Sequence, residues 1–478
     1  MPDPGLMTSK MRAYMEALSP AARTMLLRAM RGAQERGEID PSQQVILRAI
    51  AAFQGNGDRD RVDALPIKPP ISLVPWNEQV RDAFFMPLQP FVSDLTYSTK
   101  IVARIQRQSL YGIWTYLKRD LAPAEFAKAL SDETGLAEPD ATLTARKLRR
   151  EMTPRLAELI ASGDTTSKPF RRLAAQLGSD MALHDLFDVV YIFQREGALL
   201  NFSGQLPRML TAFELSDVGP VSELTKKTIV DLQVDPAFLA VLLLQRCRTA
   251  AGVAALAMTL AGSPDPKHVH ASPYARIVDS VVAEAELSVY RFANHFRDRP
   301  TRLEALLHVR EYHDLVRQLG LSLQPHHVPA WHKRLGTARK DISDLIAAEI
   351  EPLPGLIRRA LRVESAAGGF GGQFDADAAD DVEFGIRLLL EARAALDSLA
   401  LNELVTKLRR QVEQTVEFAA GKLMANLKSD GAGDRADLLL AVDASIRMSA
   451  IVFGEEYAAI LRKSRDITAV KPGKAATA

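Results

Sequence analysis

The chain has one cysteine, Cys247, in 478 residues. A lone thiol can neither close an intramolecular disulfide nor build a multi-thiolate metal site. Cys247 sits in an apolar run between Arg246 and Arg248, and the nearest histidine in sequence, His268, lies beyond a Ser-Pro-Asp-Pro break. It reads as a structural thiol rather than a nucleophile. Charge of one sign is also lacking: 60 basic residues stand against 59 acidic ones, for a formal net charge of +1. Such a chain has no overall field to attract nucleic acid or a membrane, so any such binding must come from a local patch. No apolar run reaches the ~18–20 residues needed to span a bilayer. The most hydrophobic stretch, Ala237 to Ala261, is interrupted by Gln245-Arg246-Cys247-Arg248 and reads as buried core. The first residues carry no apolar signal-peptide segment, so a cytoplasmic protein with no transmembrane segment is expected.

Site motifs are missing as well. There is no phosphate-binding Gly-x-x-x-x-Gly-Lys-Ser/Thr loop, no Gly-x-Gly-x-x-Gly after a strand, no His-Glu-x-x-His and no Gly-x-Ser-x-Gly. The glycines at 368, 369, 371 and 372 lack a following Lys-Ser/Thr and a preceding strand, which makes them a flexible loop. No bound cofactor is expected.

Helical punctuation is abundant. Ser19-Pro20, Asp40-Pro41, Asp235-Pro236 and Ser272-Pro273 each set a capping side chain before a proline, the arrangement of a helix start. Apolar residues recur at three and four, as in Leu173, Leu177 and Met181, and in Leu303, Leu306, Leu307, Leu315 and Leu319. Alternating β-branched runs bounded by hairpin turns are absent. The expected class is all-α: a multi-helical body with a long C-terminal antiparallel helical hairpin.

Residues 1–54 read as short helices, 55–75 as a Pro/Gly linker, 76–365 as the central helical body and 366–376 as a Gly-rich flexible loop. Residues 377–463 read as the hairpin, its first helix carrying an apolar stripe of Leu401, Val405, Leu408, Val412, Val416, Ala419 and Leu423. Residues 464–478 read as a disordered tail. Arginine outnumbers lysine 42 to 18, which points first to a GC-rich bacterial coding composition.

Three constellations carry candidate chemistry. Eight of the 30 aromatics fall within 76–116. On a helix starting near Ser93, the residues Tyr97, Lys100, Arg104, Arg107, Tyr111, Trp114 and Lys118 step by three and four and would share one face. Basic groups interleaved with flat rings suit an anionic membrane surface or nucleic acid. Equally, the stems of Arg and Lys can cover a core edge while the rings pack inward.

Six of the nine histidines lie in 295–332. A metal-dependent all-α enzyme can be drawn from His295, His308, His313, Asp314 and Asp341, although ordinary surface and core histidines fit the same spacing. Asp377 and Asp381, with Asp430 and Asp434, repeat at four, as do Mg²⁺-diphosphate ligands. Acidity at a helix start and a polar turn explain these pairs more simply.

The expectation from the whole sequence is a non-enzymatic helical scaffold or adaptor that works through a protein partner. Residues 366–460 carry 9 basic and 16 acidic residues, whereas 97–155 is net basic, a polarity suited to head-to-tail homo-oligomer contacts.

Overall fold

The computed structural model describes residues 75–131, 140–161, 163–211, 214–216, 219–361, 374–428 and 435–469. They lie in one compact unit, Val74–Ala478. The expectations for 1–54, for the linker up to residue 74, for 366–373 and for the end of the chain beyond 469 fall outside the described residues.

The described chain is all-α. Its helices are α1 (Trp76–Phe85), α2 (Arg107–Tyr116), α3 (Pro123–Leu130), α4 (Ala141–Leu159), α5 (Lys168–Leu177), α6 (Asp180–Gln194) and α7 (Glu196–Gln205). There follow α8 (Pro220–Asp231), α9 (Pro236–Leu244), α10 (Ala250–Ala261), α11 (Pro266–Ala271), α12 (Ala275–Arg297), α13 (Ala305–Ser322) and α14 (Pro329–Ile350). The last are α15 (Leu353–Ala360), α16 (Ala376–Ala394), α17 (Asn402–Lys428), α18 (Arg435–Phe453) and α19 (Glu455–Ala469). Among the described residues the only named strands are two residues each, β1 (Val92–Ser93) and β2 (Ile105–Gln106), paired in parallel. No helix among the described residues is long and apolar enough to cross a membrane.

Short polar side chains start many of these helices. Asp235 accepts from the Ala237 N–H while Pro236 occupies the first turn, and Asp265 and Pro266 do the same for α11. Ser272 instead holds a turn: its Oγ accepts from the Tyr274 N–H, and α12 begins at Ala275. The Leu173–Leu177–Met181 spacing spans two helices, because Gly178 leaves α5 at φ 93° and Ser179 caps α6.

Helix α9 is buried from Pro236 to Leu243 and packs against α12, which also meets α10, α13 and α14. A helix apolar on every side belongs at the centre of a large core. In α13 the inward leucines are Leu315 and Leu319, whereas Leu307 (51% exposed), and Leu303 (63% exposed) just before the helix, face water.

The single long helix expected from 377 past Leu423 is two helices. The chain breaks after Ala394, and α14 holds the break: Arg339 donates to the Leu399 carbonyl at 2.6 Å, and Ser343 Oγ accepts from the Ala400 N–H at 3.0 Å. The apolar stripe survives on α17, where Val405, Leu408, Val412, Val416 and Leu423 are buried and Ala420 lies deeper than Ala419. Helix α18 packs on α17, and α19 packs on α18. Helix α19 runs to Ala469, so residues 464–469 are helical rather than tail. The C-terminal helices are also tied to the body by ion pairs, with Arg302 bonded to Asp381 and Arg310 to Glu391 of α16.

Candidate binding cleft

The seven residues expected on one helix face do not share one. Residues 94–104 are not helical, and α2 starts only at Arg107. Ser93 turns the chain, its Oγ accepting from the Leu95 N–H, and the run Thr96-Tyr97-Ser98-Thr99 is poor in helix formers. Ala103 takes the left-handed conformation at φ 59°, held by a 3.0 Å hydrogen bond from its N–H to Asp188 Oδ2. That conformation costs a residue with a Cβ about 1–2 kcal/mol.

The resulting strap turns most of the expected stripe inward. Tyr97 is buried with its ring 5.9 Å from that of Tyr290, and burial suppresses the acidity of its hydroxyl. Lys100 Nζ lies 2.5 Å from Asp185 Oδ1 and 2.7 Å from Asp188 Oδ2. Arg104 is bonded to Glu284, which also pairs with Arg291. Trp114 sits in an aromatic core, 5.4 Å from Phe84 and 5.1 Å from Phe126. The aromatic excess of 76–116 thus fills the interior. Only Arg107, Tyr111 and Lys118 remain exposed; Arg107 is paired with Asp94, and Arg81 lies over the Tyr111 ring.

The histidine and aspartate candidates are likewise dispersed. His295 and His308 face each other with ring centroids 5.0 Å apart, yet each takes its own carboxylate, Glu304 at 3.1 Å and Glu311 at 2.8 Å. His313 is bonded to Ser398 Oγ, and Asp314 and Asp341 are exposed on different helices. Among the described residues, no three His, Cys, Asp or Glu side chains converge as a metal site. Asp377 and Asp381 are taken up by Arg299, and Asp381 also by Arg302. Asp430 and Asp434 lie outside the described residues. Cys247 is half-buried, and burial pushes its thiol up to about 11, far from a ready thiolate.

What the fold does build is a cleft of about 1540 Å³, lined by residues 95–102, α12 and α14. Helix α12 forms its floor. Arg276, Ser280, Ala283, Tyr290, Ala293 and Arg297 line it at intervals of three, four or seven, one face of one helix. From Arg276 to Arg297 that face runs roughly 30 Å at ~1.5 Å per residue. Small side chains on the face keep the floor low. The strap is one wall, pinned to α12 by a patch in which Tyr97 and Ile101 pack on Ala283 and Leu287.

Helix α14 is the other wall and runs in the same direction as α12. Its start meets the first half of α12 through Trp331–Asp279 and Arg334–Glu286, while Glu349 near its end meets Arg302, just beyond α12.

Several charges around the cleft are spent on structure. Arg334 makes a two-pronged pair with Glu286 at 2.8 and 2.7 Å, and Arg276 pairs with Asp235 at 2.7 Å. Arg297, Lys333, Asp341 and Asp344 are exposed on the rim and make no ion pair among the described residues. Along α14 the rim therefore passes from basic at Lys333 to acidic at Asp341 and Asp344. The sequence signal for this cleft is the run of small and polar residues on one face of a helix otherwise full of Val, Leu and Ile.

Comparison with protein-family models, with curated proteins and with solved structures found no match to this chain.

Proposed function

We propose that this protein is a non-enzymatic helical scaffold or adaptor, and that it engages a polypeptide partner in the cleft between the 95–102 strap, α12 and α14. The observation that carries this reading is the shape of the cleft. At about 1540 Å³ it is larger than the ~300–1,000 Å³ of sites that enclose small ligands. It is also open and elongated, with unpaired charges confined to its rim and small side chains along its floor.

The ionisable groups that touch the cleft favour binding over chemistry. Lys100 is the most buried charged group among them, and its two carboxylate partners are further occupied by the N–H groups of Ala103 and Gln106. Asp185 is used at both oxygens and Asp188 at Oδ2, so the pair serves as a clamp that fixes the strap. The alternative partner surface for anionic lipid or nucleic acid has lost its continuous face, since Tyr97, Lys100, Arg104 and Trp114 point inward.

A photo-crosslinking residue at Asn294, exposed on the floor's edge, tests the reading in the cells that make the protein. The expected result is one discrete protein adduct that is absent when the crosslinker is placed at the exposed Gln414 on α17. Thr337→Trp, which crowds the cleft from α14, should remove it. Adducts that are the same from both positions, or unchanged by Thr337→Trp, would overturn the reading.

A further inference from the structure

Taking the cleft as the partner site, we infer that its occupant is an extended polypeptide segment that pairs its main chain with the 95–102 strap and sets a basic side chain against Asp341 and Asp344.

The backbone of the strap carries the first half of this inference. From Thr96 to Val102, no backbone N–H donates to another group among the described residues. The carbonyls of Thr96, Ser98, Thr99 and Lys100 likewise accept nothing there, whereas those of Tyr97 and Ile101 are used by Gln106 and by the Arg104 N–H. A wall of a cleft thus offers free donors and acceptors on either side of a bend at Ser98-Thr99. Such groups are what an added strand pairs with, its main chain giving affinity and its alternate side chains specificity. A helix laid in the same place would cover these groups and leave them unpaired, a penalty that recurs for each one buried. The extended occupant is favoured on that ground.

The strap is also fixed in advance. Its ends are joined by the β1–β2 pair, its middle is plugged by Tyr97 and Ile101, and Lys100 ties it to α6. Around Tyr97 the side chains alternate, with Thr96 and Ser98 exposed and Tyr97 buried, so the outward side is polar and free of bulk. A binding edge that is already ordered loses little entropy when occupied.

The opposite wall supplies the second half. Asp341 and Asp344 lie three apart on α14, both exposed, both on the cleft and neither in an ion pair among the described residues. Two unpaired carboxylates on one helix face, set against the single exposed and unpaired Arg297 of α12, leave an excess of negative charge that attracts an Arg or Lys carried past them. Lys333, two turns earlier on the same helix, disfavours a basic residue at the other end and thereby sets a direction.

A phage-displayed library of random twelve-residue peptides, selected on the full chain, is the test. Enriched peptides should carry Arg or Lys at a common position and should bind the Thr337→Trp variant at least about tenfold more weakly; if that variant does not fold, Asn294→Trp serves instead. Synthetic versions N-methylated at alternate amides should divide, one set binding like the parent and the other weakened at least about tenfold. The double reversal Asp341→Lys/Asp344→Lys should abolish the basic preference while leaving the melting temperature unchanged. If Thr337→Trp removes binding yet both N-methylated sets bind like the parent, main-chain pairing is wrong and the partner cleft stands. If the double reversal keeps the basic preference, the charge match is wrong. If every enriched peptide binds the crowded variants as tightly as the parent, the cleft is not the partner site.

Discussion

Lys100 Nζ lies 2.5 Å from Asp185 Oδ1, a carboxylate with no exposed surface, and this contact joins a loop to a helix 85 residues away. Lys100 also donates to the Arg104 carbonyl, so one ammonium closes the loop on itself and fastens it to α6. Lys100→Met should leave two buried carboxylates facing each other. Breaking a buried pair in this way costs about 3–5 kcal/mol. Urea unfolding of the variant should show that loss, and adding Asp185→Asn should return part of it. A Lys100→Met protein as stable as the parent would mean that the ammonium does not neutralise this site.

Asp188 gives the clamp a pH dependence. Burial raises its carboxyl above the usual range, partly opposed by the charge of Lys100 and their hydrogen bond. A carboxylate whose folded value is raised binds its proton longer in the folded state. It therefore favours folding below the unfolded value of about 4 and opposes it increasingly as pH climbs through its folded value. Both the Lys100 and Ala103 contacts fall on Oδ2, so an Asn side chain can keep them with its single carbonyl oxygen. Asp188→Asn should match the parent near pH 3.5 and gain on it towards pH 7 in chemical denaturation. A gap that is constant, or that closes with rising pH, would contradict this sign.

Gly112 marks the closest approach of α2 to α5. A Cβ built there would stand 2.1 Å from the carbonyl oxygen of Leu177. That oxygen belongs to a helix end already fixed by the left-handed Gly178, so it cannot yield as a side chain would. Gly112→Ala should lower stability by about 1–3 kcal/mol or more, visible as a drop in melting temperature. The opposite outcome, a stabilised helix, is the one expected where alanine simply outdoes glycine in propensity.

The all-α class was legible because helix periodicity and caps are local. Asp235-Pro236 announces α9 from two adjacent residues, and the stripe from Val405 to Leu423 defines the buried face of α17. The break before α17 was not legible, since Arg339 and Ser343 fix it from a different helix. The strap was misread for a related reason. Residues 97–118 step by three and four, and spacing alone does not reveal that Asp185 and Asp188 draw Lys100 and the Ala103 N–H out of any helix. The cleft was hidden because it needs α12 and α14 side by side, although Ser280, Ala283 and Ala293 on one face recorded its floor.

Hydrogen–deuterium exchange at the strap tests the central claim most directly. With a library-selected peptide bound to the full chain, the amides from Thr96 to Val102 should slow, along with those of α12 and α14 that border the cleft. The helices α16 to α18 should exchange as before. Binding that leaves the 96–102 amides unchanged and protects another surface would contradict the assignment of this cleft as the place where the protein meets its partner.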